Sequence, residues 1–328
     1  MNSEKLKAIA RHALAAIFLI GSLVYLLNGL DFPRLLDSFA RFNPSLLLAA
    51  FALSLLAYTV LALRLNYLAR GVPGFPVTIQ SVLLALGMNN LLPAKAGEAA
   101  KVVHLTKAGG LSPGRSLGIV FQERIFDLFS VLLFALPAAA YSKHLAAPLA
   151  LAPAAGLAIL GLFILRWFPR WVNRLFKLFP WPRLRRFARE AARLIRGNLR
   201  MNFLPGLAGY SILLWLVYWI YFYLVIVVIA GMQLTAPQVL TVYIIGLLGY
   251  ALPSAPGGVG VFEAAMVFGL SLFGVDKTDA LAVAVVIHMM QFIPTTAAGL
   301  VVAYRTGTTT DSITRKYSSM ERSDPRRS

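Results

Sequence analysis

Two apolar stretches of this chain are broken at matching places. Leu92-Pro93-Ala94-Lys95-Ala96-Gly97 and Leu252-Pro253-Ser254-Ala255-Pro256-Gly257 stand 160 residues apart. Each follows an apolar run, and each is followed by a second apolar helix carrying one glutamate, Glu98 or Glu263. Proline removes a helical hydrogen bond and glycine admits turns closed to other residues. Apolar runs interrupted this way at corresponding places in two halves predict broken helices that line a site near a membrane midplane.

Composition fixes the solvent. The 328 residues are 59% hydrophobic and 13% charged, with mean hydropathy +0.72. A soluble domain carries about 25% charged residues, so the chain reads as an integral membrane protein. It has no cysteine, which removes disulfides, thiol catalysis and Cys-based metal sites. The net charge of +18 would suggest nucleic acid in a soluble protein. Here the basic residues lie mostly outside the apolar runs, so an anionic membrane face is the expected partner and nucleic acid is not.

A spanning helix needs about 20 apolar residues. Six runs qualify, at 10–30, 44–65, 116–141, 145–166, 205–231 and 278–304. The two broken regions, 77–108 and 238–274, are read as re-entrant helical hairpins. The expected fold is therefore an all-α integral membrane protein of about six spans plus two hairpins. The first run follows Lys5, Lys7 and Arg11 and has no A-x-A cleavage pattern after it, so it reads as a retained span. Between residues 166 and 200 stand eleven Arg or Lys and one acid, Glu190. Positive-inside bias places that loop, and both termini, in the cytoplasm. Walking the chain from these anchors makes 31–43 an outer amphipathic stretch and ends the second span at Arg64 and Arg70. The first hairpin then enters from the inside and the second from the outside.

With the 160-residue offset, span 44–65 pairs with 205–231, hairpin with hairpin, and 116–141 with 278–304, the members of each pair running in opposite directions. The chain reads as one membrane domain over 1–305. An inverted repeat of 44–141 and 205–304 is joined by a connector over 142–204, whose part 166–204 is basic and cytoplasmic. Residues 306–328 read as a basic, disordered tail. Inverted repeats are an architecture of alternating access.

The polar residues gather at the breaks. Asn89, Asn90, Pro93, Lys95, Gly97, Glu98 and Lys101 lie at or beside the first. A lysine there offers a cation to a phosphate, and the N–H groups of a restarting helix add donors. A second reading has Lys95 and Lys101 reaching to the interface while Glu98 pairs with one of them. Glu123, Arg124 and Asp127 sit inside the run 116–141, where unpaired charge is costly. Glu123 and Asp127 share a face, and Arg124 can reach Asp127 or Glu98. They fit either a headgroup clamp in a translocation path or an ion pair fixing the hairpin. At the second break stand Pro253, Pro256, Gly257, Gly258, Gly260 and Glu263. This G-G-x-G follows no strand, so it is no nucleotide fingerprint. Across the repeat, His288 and Gln291 fall opposite the Glu123–Asp127 region. A lone histidine in a helix is more often a packed hydrogen-bonding residue than a proton carrier. Trp167, Phe168, Trp171, Phe176, Phe179 and Trp181 alternate with arginines over 166–200, an interfacial pattern suited to anionic lipid headgroups.

Three blocks, N-N-L-L-P-A-K-A-G-E (89–98), Q-E-R-I-F-D (122–127) and P-S-A-P-G-G-V-G-V-F-E (253–263), resemble the signatures of the lysylphosphatidylglycerol synthase transmembrane region, a flippase-like family. The resemblance covers about 10–304. It implies a multi-pass bacterial inner-membrane protein whose relatives move lipids between leaflets, among them aminoacylated phosphatidylglycerol, with others associated with polyprenol-linked sugars or hopanoids. Carried by motif position, it marks Asn90, Pro93, Gly97, Glu98, Glu123, Arg124, Asp127, Pro253, Pro256, Gly257, Gly258 and Glu263 as site residues. The chain continues only to 328 after the last span, so transport without aminoacyl transfer is expected, with no cofactor and no metal. The alternatives are a transferase acting on a polyprenyl-phosphate lipid, against which the lack of a clustered D-x-D or H-x-x-x-H pattern counts, and a non-transporting scaffold. The chain carries no Walker-type loop.

Overall fold

The computed structural model describes residues 16–92, 95–141, 152–177, 181–252 and 255–307. Among them there is no β-strand. Pro93 and Pro253, the stretch 142–151 and the tail from 308 onward lie outside the described residues.

The helices follow local signals. Helix α1 (Ala16–Leu27) turns through 87° into the amphipathic α2 (Phe32–Ala40). Asp31 caps α2 by accepting from the Arg34 N–H, and Asn43 caps α3 (Pro44–Leu68) by accepting from Ser45. Both caps precede a proline in the first helical turn, where the missing N–H costs no hydrogen bond. Helices α4 (Gly74–Leu91) and α5 (Gly97–Lys107) flank the first break, and α6 (Pro113–Tyr141) follows. Then come α7 (Ala152–Trp167) and the basic helices α8 (Pro169–Lys177) and α9 (Pro182–Asn198). Helix α10 (Leu204–Tyr223) loosens into one π-helical stretch, Leu224–Ile229. Thr235 and Gln238 form a capping box at α11 (Ala236–Ala251). A 3₁₀ turn (Pro256–Gly258) precedes α12 (Val261–Ser271). Helix α13 (Lys277–Thr306) is capped by Asp276 and ends at Gly307 in the left-handed conformation.

Among the described residues three helices are long and apolar enough to cross a membrane: Pro44–Leu68, Leu204–Ile229 and Lys277–Thr306. The bent α1–α2 pair makes up to a fourth. This is fewer than the six runs counted from sequence, for identifiable reasons. The 29 residues of α6 have the length, but they carry Glu123, Arg124 and Asp127. The described part of α7 has 16 residues. The first run is described only from Ala16 and turns away after Leu27.

Contacts between named residues fix the directions. Helices α3 and α10 run antiparallel: Tyr67 stacks on Phe203 at 4.2 Å between ring centroids, and Arg64 lies 3.5 Å from Ser211. The first hairpin leaves from the end at which it enters, because Gly109 after α5 packs on Pro73 before α4. The second does the same at the other end of the molecule. Gln233 and Leu234 before α11 and Phe273 and Gly274 after α12 line one cleft with Ser38 and Phe42 of the α2 corner. Helix α4 lies antiparallel along α13, with Gly87 against Gly299 and Asn90 against Thr295 and Thr296. Those two glycines permit the crossing: a β-carbon on either would stand 2.8 Å from the other's α-carbon.

Exchanging the halves maps the packing onto itself. The pair α3–α4 matches α10–α11, α4–α5 matches α11–α12, and α5–α6 matches α12–α13. The pair α4–α13 matches α11–α6, and α3–α10 maps to itself. The architecture is an inverted repeat. At about 1.5 Å per residue, the 30 residues of α13 span ~45 Å. The first break meets α13 at Phe292–Thr296, close to its midpoint. Exposed Leu48, Leu55, Ile212, Ile220, Leu300 and Val301 give the long helices an apolar outer surface, as lipid contact requires.

Candidate functional site

The breaks are built from the residues the sequence singled out. Asn89, in the last turn of α4, accepts from the Gly97 N–H at 2.8 Å and so caps α5 across the gap. A β-carbon at Gly97 would run into the Ala85 carbonyl oxygen and the Asn89 side chain. Asn90 donates to the Phe292 carbonyl and to the hydroxyls of Thr295 and Thr296, pinning the first tip to α13. Gly257, Gly258 and Gly260 have φ of +71°, +78° and +83°, the region closed to most side chains. A side chain at Gly257 would meet the Phe292 ring and lie 3.4 Å from the Asn90 carbonyl, so the two tips touch. Lys95, on the first tip, holds its ammonium 5.5 Å from the centre of the Tyr250 ring of the second hairpin.

Beside the first break six charges close into a ring. Arg64 Nη1 binds Asp127 Oδ1 at 2.8 Å, and Arg64 Nη2 faces Glu123 Oε1 at 3.8 Å. Glu123 Oε2 takes Lys101 Nζ at 3.1 Å, and the same ammonium reaches Glu98 Oε2 at 3.3 Å. Glu98 Oε1 meets Arg124 Nη2 at 3.2 Å, and Arg124 Nη1 returns to Asp127 Oδ2 at 3.2 Å. Three cations and three anions alternate, so each charge has two opposite neighbours and the ring sums to zero. That arrangement makes six ionised groups tolerable inside an apolar bundle.

The ring has a closed and an open side. Arg64 and Glu123 are fully buried and Lys101 nearly so. The Arg124 side chain is 53% exposed, with Glu98 and Asp127 partly exposed beside it. Arg64 Nε and Nη2 and Glu123 Oε1 make no hydrogen bond among the described residues.

Of the sequence-derived residues, Glu98, Lys101, Glu123, Arg124 and Asp127 meet in the ring. Lys101 lies inside it rather than reaching to the interface. Arg124 satisfies both pairings open to it. Among the described residues the equivalent place in the second repeat holds no ring. There His288 Nδ1 meets Glu263 Oε1 at 2.6 Å, and His288 Nε2 meets the Gly257 carbonyl at 2.9 Å. Glu263 also accepts from the Gly260 N–H at 2.7 Å. This latch ties the second tip to α13. Gln291 stands outside both groups, its carbonyl accepting from Thr295. Among the described residues no three His, Asp or Glu side chains come together as a set that could hold a metal ion.

Sequence reasoning missed Arg64, which reads as the stop at the end of a span. The signal was weak: Leu65, Tyr67 and Leu68 carry the run past it, but with Asn66 among them. It also missed a buried relay outside the ring. Asn198, at the end of α9, donates to Gln122 at 3.1 Å and to the Leu68 carbonyl at 2.9 Å, and accepts from Arg70 at 2.9 Å.

A helical bundle with paired re-entrant hairpins, an apolar outer surface and a neutral charge ring defines a polytopic α-helical membrane protein. Residues 12–299 match the family described as the lysylphosphatidylglycerol synthase TM region. The chain belongs to that family. It is also similar to UPF0104 membrane protein PH1989 of Pyrococcus horikoshii, with 24% identity over 304 residues that cover 82% of this chain and 90% of the relative.

Proposed function

We propose that this protein moves a phosphate-bearing lipid between the leaflets of a bacterial inner membrane by alternating access, without covalent chemistry of its own. The observation that carries the reading is the meeting of two hairpins, entered from opposite ends, beside a ring of charge with one open side. The transported lipid is of anionic, aminoacylated or polyprenyl type. By positive-inside bias the end carrying α8 and α9 faces the cytoplasm, as do both termini.

The ring is matched to such a task. Arg124 is held by two carboxylates yet half exposed, so an incoming phosphate can take over one of its two forks. A charge-assisted hydrogen bond contributes about 1.5–3 kcal/mol, and exchanging one for another costs little net. The displaced carboxylate keeps a second cation, Lys101 for Glu98 or Arg64 for Asp127. Lys95 adds a positive charge at the tip, above Tyr250. The acyl chains stay in lipid while the two repeats rock about the α3–α10 seam.

The test is a leaflet-resolved assay in proteoliposomes, using the lipid that co-purifies with the protein. Arg124→Gln should lower translocation by about tenfold or more, the loss of roughly one charge-assisted contact, while the protein stays folded. Unchanged translocation by folded Arg124→Gln and Glu98→Gln overturns the assigned roles. Turnover of a sugar or phosphate donor by the purified protein would replace transport with transfer chemistry.

A further inference from the structure

The connector helices carry a second polar feature, away from the ring. Helix α8 turns back against α9 beside the end of α7, and between them lies a cleft of about 110 Å³. Leu165 of α7, Val172 and Asn173 of α8, and Arg189, Arg193 and Arg196 of α9 line it. The three arginines stand at i, i+4 and i+7 on α9 and share one face. Among the described residues no carboxylate lines the cleft.

The neighbouring basic residues are accounted for differently. Arg166 lies over the Trp167 ring at 5.0 Å and Arg174 over Trp171 at 5.7 Å. Arg186 pairs with Glu190 at 3.2 Å, and Glu190 packs on Gly114 of α6. Glu190 offsets Arg193 in part, but like charges one turn apart repel, so three arginines on one face with no acid among the described lining residues favour an anion between them. Guanidinium groups offer planar forks that match phosphate oxygens. The volume suits a phosphate group and is too small for a whole lipid. Exposed Trp167, Phe168 and Trp171 beside the cleft place it at the depth where aromatic side chains meet headgroups.

We propose that this cleft is a binding site for a phosphate group, supplied by the headgroup of an anionic membrane lipid or by free phosphate, and that it is separate from the charge ring. It sharpens the expectation of general lipid attraction over 166–200 into one built site of three arginines and Asn173. The site is also wired to the bundle. Two residues beyond Arg196, the buried Asn198 bonds to Gln122, which precedes Glu123 of the ring. A ligand that braces α9 therefore braces α6 through Asn198 and through the contact of Gly118 with Ala191.

The test uses the full chain in detergent and follows tryptophan fluorescence. Dihexanoyl phosphatidic acid, inorganic phosphate and dihexanoyl phosphatidylcholine are titrated in separate arms. A saturable response to phosphatidic acid is expected. It should weaken about tenfold or more in Arg189→Gln/Arg193→Gln/Arg196→Gln, roughly one lost charge-assisted contact. It should be unchanged in Arg170→Gln/Arg174→Gln. Lipid binding tighter than inorganic phosphate assigns the site to a headgroup, and equal binding assigns it to the free anion. No saturation in either arm, equal weakening in both variants, or displacement of both ligands by a short RNA would overturn the proposal. Should the triple variant fail to fold, Arg193→Gln alone, at an exposed side chain, carries the test, and unchanged affinity in it likewise overturns the site.

Discussion

Replacing Arg64 by methionine removes one member of the charge ring while keeping an unbranched side chain of similar reach. Arg64 is fully buried, bound to Asp127 at 2.8 Å and facing Glu123 at 3.8 Å. Breaking a buried ion pair by deleting one partner costs about 3–5 kcal/mol, because the other charge stays buried. Here both stranded carboxylates keep a second cation, Arg124 for Asp127 and Lys101 for Glu123. The cost therefore falls at the low end, ~3 kcal/mol. With about 2–4 °C lost per kcal/mol in a mid-sized domain, the midpoint of thermal unfolding in detergent should drop roughly 6–12 °C. The second half of the experiment restores neutrality. Arg64→Met with Glu123→Gln leaves Lys101 and Arg124 against Glu98 and Asp127, and the pair should recover about half of the loss, a coupling of order 1–2 kcal/mol. If Arg64→Met melts with the wild type, or the double variant loses as much as the sum of the singles, the ring is not a cooperative electrostatic unit.

Three further outcomes follow from the same contacts. Gly97→Ala forces a β-carbon against the Ala85 carbonyl and the Asn89 cap; it should lose about 1–3 kcal/mol, typical of overpacking, measured by thermal unfolding. Glu263→Gln keeps the shape of the latch but weakens its bonds to His288 and the Gly260 N–H. Hydrogen exchange should then rise at 255–263 and not at 95–101. Lys95→Gln, at an exposed tip residue, should lower translocation of an anionic lipid several-fold, about 1 kcal/mol, with no change in melting temperature.

The breaks were legible because their causes are local. Proline, glycine and the polar residues around them interrupt an apolar run within about ten positions, and the repeat supplies a second copy of the same signal. The inverted directions were legible in the walk along the chain, which sets an odd number of crossings between paired elements. The ring was legible in part. Glu123, Arg124 and Asp127 stand out because three charges in five residues of an apolar helix need partners, and Glu98 was reachable as one of them. Arg64 was not recovered, since its partners lie 59 and 63 positions away and an arginine near a span end has an ordinary interfacial explanation. The fate of Lys101 turned on the same missing fact: without the depth of Glu123, burial and reaching to the surface look alike. Asn198 carries no sequence signal at all, as its meaning comes from α9 folding back onto α3 and α6.

In the proposed transport cycle the hairpin tips must move against the opposite repeat for lipid to cross. The chain has no cysteine, so an introduced pair is the only one in the protein. Asn90 and Thr296 bring their side chains to 2.9 Å between the first tip and the middle of α13. With Asn90→Cys/Thr296→Cys in proteoliposomes, oxidation should stop leaflet-to-leaflet transfer and reduction should restore it. Transfer continuing at the rate of the reduced protein after the bridge has formed, verified by mass, would mean that the tips need not move.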